Sequence, residues 1–341
     1  MIVEASVLVA ASVPLFLLTV MTYFDSGLQQ SFPIRSCEHC DCEGSQTANF
    51  RSMFRPRGAL ARALYNKQLM DCQLEQMDHT KWYHIDASQV PPEMRRTFLS
   101  LTLDDETRQF LDNCNEKSDA LLTQIWHSIV KSLLRWFLTQ TDINGLLGRG
   151  SMFVFSKPHI RQLLGRSLAE EGELLDLGAG DGLITQNLAN FFTKVYVTEV
   201  SRPMRWALKK RGFQVLEVDG WSDRKYDVVS CLNLLDRCDR PYHILNRVRQ
   251  ALKPNGKAIF ALVLPFQPYV ENSGKGNQPM EVLPIQGLTL EQQAASVVSN
   301  ILEPAGFTVV RWSKLPYLCE GDLHQAYYWL DDVVFVTRLT S

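Results

Sequence analysis

The chain has 341 residues, 45% apolar and 21% charged, with a formal net charge of −2. That length holds one large domain or a domain with an appendage, and the composition is that of a globular protein with an ordinary core. The near-neutral charge offers no electrostatic basis for a nucleic-acid partner, and no repeat at a solenoid or propeller period is present.

Residues 5–24, ASVLVAASVPLFLLTVMTYF, carry no charge. A run of this length suffices to cross a hydrocarbon layer of ~30 Å. Pro14 kinks a soluble helix but is tolerated in a membrane segment. A positive leading segment and a clear small-x-small cleavage site are both missing. Residues 1–24 are therefore read as either an uncleaved membrane anchor or a cleaved signal. The expected location is the endoplasmic reticulum or the mitochondrion, with cytosolic exposure left open. Glu4 before the run and Arg35 after it tilt the remainder slightly towards the cytosol, and no Asn-x-Ser/Thr acceptor argues for a lumen.

Residues 25–58 read as a linker. Within it Cys37, Cys40 and Cys42 surround His39. The Cys37–Cys40 spacing is that of half a zinc site, but no second half follows, so no metal is expected and the segment reads as an oxidisable tether. Cys72, Cys114, Cys231, Cys238 and Cys319 show no framework spacing and read as free, largely buried thiols.

Residues 59–150 read as a helical extension or lid. Leu122, Ile125, Ile129, Leu133, Trp136 and Phe137 recur at three- and four-residue spacing, one stripe of an amphipathic helix. His127 within it reads as a surface or packing histidine. Gly145, Gly148 and Gly150 then interrupt the pattern before the apolar cluster Met152–Phe155. From Gly172 strands and helices alternate through residues 151–341. ELLDLG, KVYVTEV, FQVLEVD, KYDVVSCLN and KAIFALVL read as strands, with FTVVRWSKL and DDVVFVTRL closing the chain. Such a succession builds a parallel sheet covered on both faces, with room for an antiparallel strand at the end.

The glycine-rich turn LLDLGAGDG joins the first of those strands to a helix, the place where a nucleotide-like ligand sits in such sheets. Its pattern is Asp176, Gly178, Gly180, Gly182, with Leu183 where a dinucleotide fingerprint needs its third glycine. It resembles motif I of the class I S-adenosylmethionine-dependent methyltransferases. Glu199 ends the second strand, where a carboxylate accepts ribose hydroxyls. Asp219, ending the third, is placed to meet the adenine amino group. Beyond the fourth strand, Asn233 and Asp236 stand three residues apart and can face one cavity. The Asn/Asp-Pro-Pro-aromatic tetrapeptide of many amine and amide methyltransferases is absent, which argues against those substrates.

Together INGLLGRGSMFVF, LLDLGAGDG, SCLNLLDRCD, ALVLPFQPYVE and LPYLCEGD resemble the DREV family of methyltransferases, from about Leu121 to the C-terminus. The resemblance implies a class I methyltransferase Rossmann-like fold, a mostly parallel seven-stranded sheet with an N-terminal helical extension. It implies S-adenosyl-L-methionine as cofactor, contacted by Glu199, Asn233 and Tyr317. It further implies methyl transfer to the pros nitrogen (Nδ1) of histidine in His-x-His sequences of protein substrates, with a small residue before the first histidine. Asp236 would then face the imidazole, with Asn233 beside it and Phe266, Tyr269 and Tyr317 as walls. Asp219-Gly220 is a departure at a position where the family is not uniform, which leaves the adenine contact open. A methyltransferase acting on a small molecule or lipid at a membrane shares the cofactor half, as does a non-catalytic binding module.

Overall fold

The computed structural model describes residues 58–165, 172–271, 273 and 276–340. The expected anchor or signal, residues 1–24, lies outside the described residues, as does the linker segment that carries Cys37, Cys40 and Cys42. The chain opens with helices α1 (Ala59–Glu75), α2 (Pro92–Thr97), α3 (Asp105–Asp119), α4 (Leu121–Leu134) and α5 (Gln140–Leu147). Strand β1 (Met152–Phe153) and α6 (Lys157–Leu164) lead into β2 (Glu173–Leu177), α7 (Leu183–Ala189), β3 (Lys194–Thr198), α8 (Arg202–Lys210) and β4 (Gln214–Leu216). Then come β5 (Tyr226–Leu232), α9 (Pro241–Ala251), β6 (Leu252–Val263), α10 (Leu290–Val297), β7 (Phe307–Glu320) and β8 (Tyr327–Leu339).

One sheet holds every strand in the order β1-β7-β8-β6-β5-β2-β3-β4. Strands β4, β3, β2, β5 and β6 run parallel. Their short apolar cores, such as Leu174 and Leu175 with no exposed surface, fit strands buried on both faces. Strand β8 inserts antiparallel between β6 and β7. The expected seven strands become eight, because Met152 and Phe153 pair antiparallel with Cys319 and Leu318. Two residues are too short to show a strand period, so only the partner edge reveals β1. Strand β7 also runs well past FTVVRWSKL, through Pro316 to Glu320.

The helical extension shares the sheet's cores. Leu74, Trp82, Tyr83, Leu111 and Cys114 pack with Phe155, Phe191 and Val334 on one face. On the other face Met94 of α2 joins Leu245, Val248, Ile301 and Phe335. Trp312 of β7 joins the two parts: its indole N–H donates to the Met94 carbonyl at 2.8 Å, and its own carbonyl accepts from Leu99 at 2.8 Å. Its ring lies 4.8 Å from Phe98 and stacks on Phe335 at 6.2 Å.

Helix α4 and the turn after it carry an apolar stripe that is only partly covered, with Ile125 and Ile129 half-buried. Leu122, Trp126, Leu133, Trp136 and Phe137 are exposed, whereas polar Gln124 is buried and donates to the Lys117 carbonyl at 2.9 Å. Periodicity identifies an apolar face but not what covers it. Cys72, Cys114, Cys231, Cys238 and Cys319 are all free thiols, and of these Cys72 is exposed. Among the described residues no helix is long and apolar enough to cross a membrane.

Trp312→Ala is expected to cost about 3–5 kcal/mol, through the cavity it leaves. Urea denaturation reads this loss. A change below about 1 kcal/mol would show that the extension docks without this side chain.

Candidate active site

The site forms at the C-terminal ends of the parallel strands. A small cavity of about 50 Å³ that opens to solvent is lined by Met152, Asp176, Gly178, Ala179, Gly180, Asp181, Ile184, Leu232, Asn233 and Tyr317. These residues come from the glycine turn after β2, the end of β5, the edge strand β1 and β7.

The glycines divide the work between space and packing. Gly180 has φ +56°, and a Cβ built there meets only Met152 Cε at 3.9 Å, so the turn leaves its inner side open to the cavity. Gly182 has φ +86°, and its Cβ would stand 2.7 Å from Leu208 of α8 and 3.1 Å from Phe213. That glycine lets α7 start against its neighbours and does not line the cavity. Gly178 lines the cavity at the turn's entry.

Asp176 underpins the turn. Its buried carboxylate accepts from Thr185 Oγ1 of α7 and from Ser230 Oγ of β5, each at 2.6 Å. Burial pushes its pKa up to about 6 against those two donors. It borders the cavity, yet both oxygens are engaged by the protein, so its hold on a ligand runs through the loop.

Glu199 closes β3. One carboxylate oxygen accepts from the Gly180 N–H at 3.0 Å, and the other from the Val200 and Ser201 N–H groups at 2.7 and 2.9 Å. The carboxylate therefore ties the glycine turn to the next strand and keeps lone pairs for ligand hydroxyls. Asp219 is exposed after β4 and is not among the residues lining this cavity. Its carbonyl accepts from Arg247 Nη2 at 2.6 Å.

Asn233, Asp236 and Tyr317 gather at the other end. Asn233 has φ +50°, a left-handed conformation costly for a residue with a Cβ, and its N–H is held by the Ala261 carbonyl at 3.0 Å. Asp236 is buried. Its Oδ2 accepts from Arg237 Nε at 3.2 Å, and Oδ1 has no partner. Burial raises its pKa and the Arg237 guanidinium opposes the rise. Tyr317 donates its hydroxyl to Met152 Sδ across the cavity. Its phenol is pushed well up by burial, so it stays a neutral donor.

Asp332 on β8 belongs with this group and went unrecognised in the sequence. Its Oδ2 accepts from Asn233 Nδ2 at 2.9 Å, and the backbone N–H groups of Val333 and Leu262 stabilise the carboxylate against the burial that raises its pKa. Two aspartates opening an apolar strand, LDDVVFV, were the available signal. Helix α5 docks against the start of α8. Asp142 accepts from Ser201 Oγ at 2.6 Å, and Glu271 accepts from the Gln140 N–H at 2.7 Å and Thr141 Oγ1 at 3.0 Å.

A glycine turn with an open inner side, a carboxylate ending the next strand and this strand order define a class I S-adenosylmethionine-dependent methyltransferase. The DREV methyltransferase family profile matches residues 82–339, about three quarters of the chain, and the protein belongs to that family. Solved structures are similar to it only at low identity and low TM-score. An S-adenosylmethionine-dependent methyltransferase from Clostridium acetobutylicum is 14% identical over 62% of this chain and 97% of its own, with a TM-score of 0.36. DhpI, solved with S-adenosylhomocysteine (SAH), is 16% identical over 64% of this chain and 95% of its own, at 0.35. The glycopeptide N-methyltransferase MtfA, solved with sinefungin, is 17% identical over 54% and 85%, at 0.37.

Two glycine variants test these two roles. Gly180→Arg is expected to abolish S-adenosylmethionine binding in calorimetry, because the side chain fills the open side, and to lower the unfolding midpoint through the strain of a side chain at φ +56°. Gly182→Ala is expected to cost about 1–3 kcal/mol through the clash with Leu208. Undiminished binding by Gly180→Arg would place the cofactor elsewhere.

Proposed function

We propose that the protein methylates histidine at Nδ1 within His-x-His sequences of protein substrates. The observation that carries this reading is the buried Asp236 carboxylate, whose Oδ1 has no hydrogen-bond partner, three residues after Asn233, which lines the cavity. A buried acceptor is expensive to leave unpaired, so the site calls for a substrate that brings an N–H. The family resemblance in SCLNLLDRCD and LPYLCEGD supports histidine as that substrate.

When bound, S-adenosylmethionine supplies an electrophilic sulfonium methyl. The protein's own part is orientation. Imidazole has an ordinary pKa of ~6.5 and is largely uncharged at neutral pH, so no strong base is required. Asp236 accepting Nε2–H holds the proton there and leaves the Nδ1 lone pair for the methyl. The same carboxylate stabilises the imidazolium as it forms. Asn233 and Tyr317 border both the cavity and this acceptor group, placing nucleophile and methyl donor within one enclosure. Tyr269 lies half in solvent at the mouth; its N–H donates to the Asp236 carbonyl at 2.8 Å, and its ring sits 5.8 Å from the Arg237 guanidinium. A peptide would pass along that wall, where a small residue before the histidine permits close approach.

Asp236→Asn is expected to retain cofactor affinity and lose about 10²–10⁴ in single-turnover rate on an Ala-His-x-His peptide. Because burial raises the Asp236 pKa, its ionised, accepting form is lost as pH falls through that raised value. Raising pH should not restore the variant, since orientation is what it lacks. Near-normal transfer to Nδ1 by Asp236→Asn, with the nitrogen identified by NMR, would contradict the assignment.

A further inference from the structure

Helix α4 inverts the arrangement of an ordinary surface helix, whose polar side faces water. Its polar side faces the protein. Gln124 is buried and donates to the Lys117 carbonyl at 2.9 Å, and His127 Nδ1 is enclosed. Burial holds the Lys131 pKa down, a fall that Arg149 and Arg135 deepen and Asp322 opposes. On the opposite side Leu122, Trp126 and Leu133 follow one another at four- and seven-residue steps, with Ile125 and Ile129 half-buried beside them. Trp136 and Phe137 follow in the turn after the helix. Leu122, Trp136 and Phe137 are 85%, 79% and 84% exposed, and Trp126 is 60% exposed. Single apolar side chains on a surface are ordinary. Two tryptophans, a phenylalanine and two leucines within one such short stretch are not.

Between Asp119 and Asp142 the chain has no carboxylate side chain, and its charges there are Lys131 and Arg135. Leucine, tryptophan and phenylalanine on one side, with lysine and arginine on the other, is the composition of a helix lying in a membrane interface. Indole suits that depth, since its ring enters the acyl boundary while its N–H stays among the headgroups. A second copy of the chain fits less well, because it brings the same cations and no carboxylate to pair with them. The chain also gives a bilayer reason to be close. Residues 25–57 separate the uncharged run 5–24 from Gly58 and, fully extended, span about 100 Å. With that run in a bilayer as an anchor, α4 stays within reach of the same surface at high local concentration.

We propose that α4 and the turn after it form a lipid-docking face that lies flat on a bilayer surface, with Leu122, Trp126, Leu133, Trp136 and Phe137 entering the acyl boundary. The face works alongside the tether and does not depend on which group the enzyme methylates. Helix α5 follows directly and docks on α8 through Asp142 and Ser201, two residues beyond Glu199. A docked α4 therefore sets how the cofactor turn is oriented to the membrane.

The test uses the full-length protein with vesicles of phosphatidylcholine and phosphatidylserine, brominated in the acyl chains, and reads tryptophan fluorescence. Residues 1–57 contain no tryptophan, so insertion of the run 5–24 is silent in this signal. Of the seven tryptophans, Trp126, Trp136 and Trp206 are exposed. Brominated vesicles are expected to quench roughly two sevenths of the emission, the share of Trp126 and Trp136. Trp126→Phe/Trp136→Phe is expected to remove the quenching; both positions are exposed and keep an aromatic ring, so the fold is preserved. Leu122→Glu/Phe137→Glu is expected to bring quenching down to the level seen with unbrominated lipid, because it places carboxylates in the acyl boundary. No quenching in the wild type, as when a second copy or residues 5–24 cover the face, would overturn the proposal. Quenching that survives in Trp126→Phe/Trp136→Phe would overturn it too, by placing Trp206 or another face on the lipid, as would quenching that survives in Leu122→Glu/Phe137→Glu.

Discussion

A carboxylate buried beneath a glycine turn is the constraint on which the site depends. Asp176 joins β2 to α7 through Thr185 and to β5 through Ser230. Those elements carry the open side of Gly180 and, at the end of β5, Asn233. Desolvation favours the protonated acid, and its pKa near 6 lies above the unfolded value. By linkage, the stability this group contributes is fullest below the unfolded pKa and declines as pH rises through about 6. At neutral pH two hydroxyl donors offset the cost of an ionised group. The arrangement sacrifices some stability to hold a loop whose value is its shape.

Two halves with different chemistry meet at that loop. The cofactor half is made chiefly of backbone: positive-φ glycines, the Gly180 N–H pinned by Glu199, and a helix start at Leu183. Side chains there mainly brace the backbone. The acceptor half relies on side chains that cannot be braced in the same way, since Asp236 Oδ1 keeps no hydrogen-bond partner in a buried setting. Unpaired acceptors of this kind weaken a core and are tolerated where a ligand supplies the missing donors. The helical extension links the halves mechanically, through α5 on Ser201 and through Trp312 beneath α2.

What was legible in the sequence is what local patterning determines. The buried parallel strands show as compact apolar runs, and the turn after β2 shows as alternating glycines whose positive φ excludes most other residues. Asn233 and Asp236 could be placed together by spacing. Features set by distant pairing were not legible. Strand β1 exists because β7 offers an edge; α4 keeps an apolar stripe that its neighbours only partly cover; and Asp332 meets Asn233 across 99 positions of chain. Asp219 follows β4 in a turn whose backbone is held by Arg247, and its carboxylate, like those of Glu199 and Asp236, is not among the groups lining the cavity.

The account holds that the acceptor oxygens beside the cofactor cavity choose an imidazole as methyl acceptor. Its most direct measurement is transfer of labelled methyl from S-adenosylmethionine, by the full-length protein, to matched peptides. Their central residues would be histidine, lysine, arginine or glutamine in one Ala-x-Ala-His frame. Label is predicted on the histidine peptide alone, and on its first histidine. Equal or greater labelling of lysine, arginine or glutamine, or labelling of none while S-adenosylmethionine binds, would contradict it.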